Sequence, residues 1–222
     1  MATGNEVVSL RVFTPVSPIY HEPYWIGGAV EKTHVFLEGN DLSQRMGQVP
    51  FTVAELGFGT GLNLLLAAQL AAQNGTPLTF ISYELHPFAP DELARIHQDF
   101  PTDLQPLSHD VLAYYTPQAG WNTLTFATTT LYLYIGDATQ GILTHPQPAD
   151  TWFLDGFSPT RNPAMWTPEL MAQVYAHTKA GGTASTYSVA RATKDALTAA
   201  GFHYTRAKGF PPKWHMLTIT KD

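Results

Sequence analysis

Phe51-Thr-Val-Ala-Glu-Leu-Gly-Phe-Gly-Thr-Gly-Leu-Asn63 decides the fold of this chain. Its first six residues are a β-prone run, three glycines follow at alternate positions, and Leu62 to Ala72 is rich in Leu and Ala. That order reads strand, turn, helix. Glycines between a strand and a helix let backbone amides approach a ligand closely, because no Cβ intervenes. The spacing is G-x-G-x-G, with Glu55 two residues ahead of Gly57. A dinucleotide site requires G-x-G-x-x-G, and position 62, where the third glycine would fall, is leucine. The glycines by themselves are also compatible with a purely structural turn.

Outward from this stretch the same alternation continues. Leu78 to Glu84 reads as a strand and Pro90 to Phe100 as a helix with proline in its first turn. Two βα units in succession imply a parallel sheet. Leu131 to Ile135 and Thr151 to Leu154 are further apolar runs, each followed by an aspartate, Asp137 and Asp155. Thr167-Pro168-Glu169 supplies an N-cap, a proline at the first helical position and an early acid for a helix expected to stop at Gly181-Gly182. A strand (Thr183 to Ser188), a helix (Ala190 to Ala200) and two strands (Phe202 to Lys208 and Met216 to Thr220) complete the pattern. The loop between the last two strands is too short for a helical crossover, so they pair antiparallel. The expected architecture is a Rossmann-like α/β methyltransferase fold: residues 51–222 form a mostly parallel sheet ending in an antiparallel strand, and residues 1–50 are an extension packed on its core.

Composition narrows the classes. With 222 residues, 44% of them hydrophobic, one compact domain is expected. No apolar run reaches the roughly 18 residues of a membrane helix, and Met1 to Phe13 lacks the layout of a secretion signal, so a cytoplasmic protein with no membrane partner is expected, monomeric by default. The absence of cysteine excludes disulfides, thiolate metal sites and a cysteine nucleophile. The nine histidines form no HExxH motif or tight pair, so no metal site is expected. The net charge of −6 argues against indiscriminate binding to nucleic acid, but the charge is uneven. Residues 150–222 hold 8 Lys/Arg against 5 Asp/Glu, and 1–149 hold 4 against 13. The C-terminal third is the candidate anion-facing side, although chance clustering on a solvated surface gives the same counts.

Ligands of open α/β sheets bind at the carboxyl ends of the strands. S-adenosylmethionine has no pyrophosphate to place on a helix N-terminus and carries an ammonium and a sulfonium instead, so an acid beside the turn suits it. The candidate cofactor residues are therefore Glu55, Gly57, Phe58, Gly59, Gly61 and Asn63, with Glu84 for the ribose hydroxyls and Asp137 for the adenine amino group. Methyl transfer from a sulfonium is an in-line displacement that needs a neutral lone pair and the disposal of one proton. Asp155 is the candidate for that task. It lies in an aromatic, proline-stiffened segment, Trp152-Phe-Leu-Asp-Gly-Phe-Ser-Pro159 followed by Arg161-Asn-Pro-Ala-Met-Trp166. Phe157 and Trp166 could stack a splayed base or merely cover the sheet edge; Asn162 could orient an amine, and Arg161 could meet phosphate.

Taken together, Glu55 to Asn63, Trp152 to Pro159, Asn162-Pro-Ala-Met-Trp-Thr-Pro168, Ala200-Gly-Phe202, Lys208-Gly-Phe210 and Met216-Leu217 resemble the MnmC-type tRNA methyltransferase domain. Thr14-Pro-Val-Ser17, Pro23-Tyr24 and Thr33-His-Val-Phe-Leu-Glu-Gly-Asn40 extend the resemblance over nearly the whole chain from Thr14. It implies methylation, by S-adenosylmethionine, of the aminomethyl group on a tRNA wobble uridine, giving 5-methylaminomethyl-2-thiouridine. It further implies a substrate face including Tyr24, Lys208, Lys213 and Arg206, and a stand-alone enzyme whose amine is made by a separate enzyme, since many members carry a fused FAD-dependent oxidase. Departures are Lys194-Asp195 in place of a basic pair, Pro211-Pro-Lys-Trp-His215 in place of an arginine-rich turn, and Tyr24-Trp25-Ile26 in place of Tyr-Phe-Ser. They lie toward the RNA-facing side and keep open a methyltransferase of the same fold acting on a small-molecule amine or another RNA site. A nucleotide-binding module or an oxidoreductase is disfavoured by Leu62.

Overall fold

The computed structural model describes residues 14–47 and 49–222; Met1 to Phe13, expected to carry no secretion signal, lie outside the described residues. Eight strands form one sheet: β1 (Phe51–Leu56), β2 (Leu78–Glu84), β3 (Gly120–Phe126), β4 (Thr129–Ile135), β5 (Ala149–Leu154), β6 (Thr178–Thr186), β7 (His203–Lys208) and β8 (His215–Thr220), in the spatial order β3-β4-β2-β1-β5-β6-β8-β7. β4, β2, β1, β5 and β6 run parallel, whereas β8 is antiparallel to both neighbours. The helices are α1 (Gly28–Lys32), α2 (Leu42–Arg45), α3 (Leu62–Asn74), α4 (Pro90–His97), α5 (Gln105–Tyr114), α6 (Ala138–Gly141), α7 (Pro168–Ala176) and α8 (Arg191–Ala200). None among the described residues is long and apolar enough to cross a membrane.

Both faces of the sheet are covered, which explains why β1 is buried along its whole length. Val53, Phe80 and Phe153 point toward the core shared with α3, while Ala54, Ile81 and Trp152 point toward the opposite core, which includes Leu170 of α7 and Leu197 of α8. Such central strands read as apolar runs without alternation.

Two expectations are corrected. The helix begun by Thr167, whose hydroxyl accepts from Leu170 N at 3.2 Å, ends at Ala176, five residues before Gly181. Gly181 and Gly182 lie inside β6, where Gly181 N donates to Lys221 O and Lys221 N to Gly182 O, both at 3.0 Å. The pairing with β5 jumps from Ala149↔Thr178 to Thr151↔Thr183. A bulge uses the positive φ of Gly181 (71°) as readily as a helix end does, so the glycine pair carried an ambiguous signal. The second correction is β3, an antiparallel edge strand absent from the expected pattern.

Residues 14–47 lie outside the sheet and pack on it. Asn40 Nδ2 donates to Ser185 Oγ at 2.7 Å, Arg45 donates to Asp150 O at 2.9 Å, and the Phe36 ring lies 5.3 Å from that of Phe153.

Candidate active site

Strand register assembles the site. Leu56 lies opposite Tyr83 on one side and Leu154 on the other, and Glu84 opposite Ile135. The glycine turn, Glu84, Asp137 and Asp155 therefore emerge together at the carboxyl edge. They line a cavity of about 330 Å³ with Phe58, Asn63, Phe157, Asn162 and Lys213. The segment before α1, through Tyr24, and α1 itself, through Lys32, close the other side.

The turn is glycine for two distinct reasons. Gly57 has φ +94°, and a Cβ there would fall 3.0 Å from Asp155 O. Gly59 has φ +53°, and its Cβ would fall 3.0 Å from Tyr24 Cδ1. Positive φ alone disfavours other residues, and the close approach removes the remaining room. Glu84 pins the turn: its Oε2 accepts from Gly59 N and its Oε1 from His86 N, each at 2.8 Å. Each oxygen keeps a lone pair for a further donor. Asp137 caps α6, accepting from Thr139 N at 2.7 Å.

Behind the turn lies a polar network. Asn63 Nδ2 donates to Glu55 Oε1 and to Asp155 Oδ2, both at 2.8 Å, and Ser82 Oγ lies 2.7 Å from Glu55 Oε2. Glu55 is 0% exposed and does not reach the cavity, which corrects its expected role as a direct cofactor ligand. Burial, reinforced by the charge of Asp155, raises its pKa to about 8. A protonated Glu55 donates to Ser82 Oγ and still accepts from Asn63, which satisfies the carboxyl without an unpaired charge. Its effect reaches the cavity through Asn63, a lining residue whose amide it fixes and whose buried Oδ1 has no hydrogen-bond partner.

Asp155 is paired with Lys32, a residue the sequence reading did not single out. Lys32 Nζ lies 2.5 Å from Asp155 Oδ2, and the two side chains are 9% and 11% exposed. Burial raises the Asp155 pKa, and Lys32 opposes the rise. Lys213 Nζ sits 3.5 Å from the centroid of the Tyr187 ring; burial lowers its pKa, with Glu31 acting against the fall. Tyr20, Tyr24 and Phe157 make an aromatic wall, with Phe157 centroids 4.7 Å from Tyr20 and 5.1 Å from Tyr24. Glu22 fixes the loop after Asp155 by accepting from Ser158 N at 3.0 Å.

Three other expected substrate residues lie outside the cavity. Trp166 is buried and donates from Nε1 to Phe157 O at 2.8 Å, so it supports the loop from behind. Arg161 and Lys208 are exposed on the surface. Leu85, which the sequence reading passed over, supplies an apolar wall next to Glu84.

A doubly covered sheet with a glycine cradle and acids at its carboxyl edge defines an S-adenosylmethionine-dependent methyltransferase. Residues 102–222 match the family described as "S-adenosyl-L-methionine-dependent methyltransferase", and the chain belongs to it. Two relatives named "tRNA 5-methylaminomethyl-2-thiouridine biosynthesis bifunctional protein MnmC" are each 37% identical over 91% of this chain. One is from Hahella chejuensis and the other from Chromobacterium violaceum. The chain spans about a third of their length, 34% and 32%. The crystal structure of MNMC2 from Aquifex aeolicus has the same fold, with TM-score 0.76 at 20% identity over 94% of this chain and 66% of that one.

Proposed function

We propose that this chain methylates the primary amine of 5-aminomethyl-2-thiouridine at the wobble position of tRNA, giving 5-methylaminomethyl-2-thiouridine. The observation that carries the chemistry is Asp155, paired with Lys32 and set between the glycine cradle and the aromatic wall. The tRNA assignment is supported by the names of the relatives and by the sequence resemblance.

S-adenosylmethionine, when bound, supplies an electrophilic methyl group on its sulfonium. Asn63 Oδ1, a buried acceptor without a partner, fits the cofactor's ammonium. The free lone pairs of Glu84 suit the ribose hydroxyls, and Asp137 and Leu85 suit the adenine amino group and ring. An alkylamine is protonated at neutral pH, as lysine is, and must lose a proton before its nitrogen can attack. Asp155 hydrogen-bonds the incoming ammonium and takes that proton, while its ion pair with Lys32 favours the ionised carboxylate. Tyr24, Phe157 and Asn162 would hold the uridine so that its amine lies in line with the methyl group that S-adenosylmethionine would supply. The aminomethyl group must already be on the uridine, so an oxidative or hydrolytic enzyme acts earlier.

The reading is tested by incubating the protein with S-adenosylmethionine and tRNA that carries 5-aminomethyl-2-thiouridine, followed by nucleoside analysis. Conversion to the methylamino nucleoside is expected. Cofactor binding with no methylation of tRNA, alongside transfer to small amines, would replace tRNA by a small-molecule acceptor.

A further inference from the structure

The loop joining β7 to β8 faces two ways. Gly209 N donates to Trp214 O at 3.0 Å and Lys213 N to Phe210 O at 2.8 Å, so the turn is held by its own backbone. Phe210 is anchored inward: its ring covers Gly27 so closely that a Cβ there would overlap it, and it lies 6.3 Å from the ring of His34. Lys213 also turns inward, onto Tyr187, whose hydroxyl donates to Gly156 O at 2.8 Å, next to Asp155. Between these anchors Trp214 is left 86% exposed, the highest value of any large apolar side chain among the described residues.

A tryptophan is normally largely buried, since its ring carries more apolar area than most side chains. Here the indole stands on the hairpin next in sequence to Lys213, which lines the cavity. β7 leads to this hairpin with Tyr204, Arg206 and Lys208 exposed. We propose that Trp214 is a stacking platform for an unpaired nucleobase adjoining the target uridine. This rests on the tRNA reading above. Single-stranded RNA is recognised by unstacked bases lying on aromatic faces, and stacking suits a chain of net charge −6 that attracts phosphates weakly. Arg206 and Lys208 meet the backbone of the same strand, while Lys213 reaches toward the uridine.

The test uses an anticodon stem-loop bearing 5-aminomethyl-2-thiouridine, the same stem-loop with an abasic residue beside it, and the isolated modified nucleoside. For Trp214→Ala the ratio of kcat/KM for the stem-loop to that for the nucleoside should fall roughly tenfold, chiefly through KM. Trp214→Phe should recover most of the loss. The abasic residue should impose a similar penalty on the wild type and little more on Trp214→Ala. An unchanged ratio in Trp214→Ala, or an equal abasic penalty in both proteins, overturns the platform alone. Wild-type protein that binds S-adenosylmethionine yet leaves every RNA unmethylated overturns the tRNA reading and the platform with it.

Discussion

Asp155 and Lys32 illustrate how one side chain sets the working state of another. Burial raises the pKa of the Asp155 carboxyl, and a protonated acid cannot relieve an ammonium of its proton. Lys32 lowers the Asp155 pKa, so removing it must raise that pKa further. In the proposed mechanism the ionised form is the active one, so the acidic limb of the kcat profile should move to higher pH in Lys32→Met, by about one unit or more. Lys32→Arg should keep most of the original position. The measurement is kcat against pH with saturating cofactor, and an unmoved limb would remove Lys32 from this role. Asp155 was legible in the sequence because an aspartate ends an apolar run inside an aromatic segment. Lys32 was not, since it sits 123 residues away in a helix with no motif of its own and gains its partner only in the folded chain. Glu55 misled in the opposite way: its place before the glycines is right, yet it lies beneath the turn and works through Asn63.

The β1-turn-α3 unit has a glycine in left-handed conformation at each end of its helix, and neither lines the cavity, which corrects the expected cofactor role of Gly61; Gly59 of the turn does line it. Gly61 opens α3 at φ +74° and Gly75 closes it at φ +67°. Gly75 has nothing within 4 Å of an added Cβ, whereas Gly59 in the turn faces Tyr24. Gly75→Ala should cost about 1–2 kcal/mol of stability from backbone strain and leave cofactor affinity unchanged. Gly59→Ala should carry a similar strain and also weaken S-adenosylmethionine binding at least tenfold by displacing Tyr24 and the Glu84 contact. Calorimetric titration beside denaturant melts separates the two, and equal effects on affinity would contradict the division. The strands and helices around this unit were readable because apolar periodicity and proline and glycine punctuation agreed. β6 was misjudged because Gly181-Gly182 makes a bulge with the residues that would end a helix. β3 was missed because Gly120-Trp-Asn-Thr-Leu-Thr-Phe126 is half-exposed and takes its strand form from pairing with β4.

The protein as a whole carries the cost of a carboxyl buried at its centre. With an ordinary pKa of 4.5 and a folded value near 8, Glu55 is protonated in both states at low pH, and there its contribution to stability is complete. As pH rises past 4.5 the unfolded chain ionises while the folded one retains its proton, so stability falls until about pH 8. Glu55→Gln can keep the bonds to Asn63 and Ser82 without this loss. Its stability relative to the wild type should therefore improve steadily between pH 5 and pH 8 in urea titrations; a constant difference would mean that Glu55 is ionised in the folded state.

The contacts that finish the site span most of the chain: Lys32 to Asp155 across 123 residues, Glu22 to Ser158 across 136, and His34 to Lys208 across 174. The segment preceding the sheet is thus a clasp that supplies one wall of the cavity. Release of the clasp would strip Trp25, Val35, Phe36 and Leu42 from one of the two cores, while the cradle lost Tyr24 and the carboxylate lost its cation.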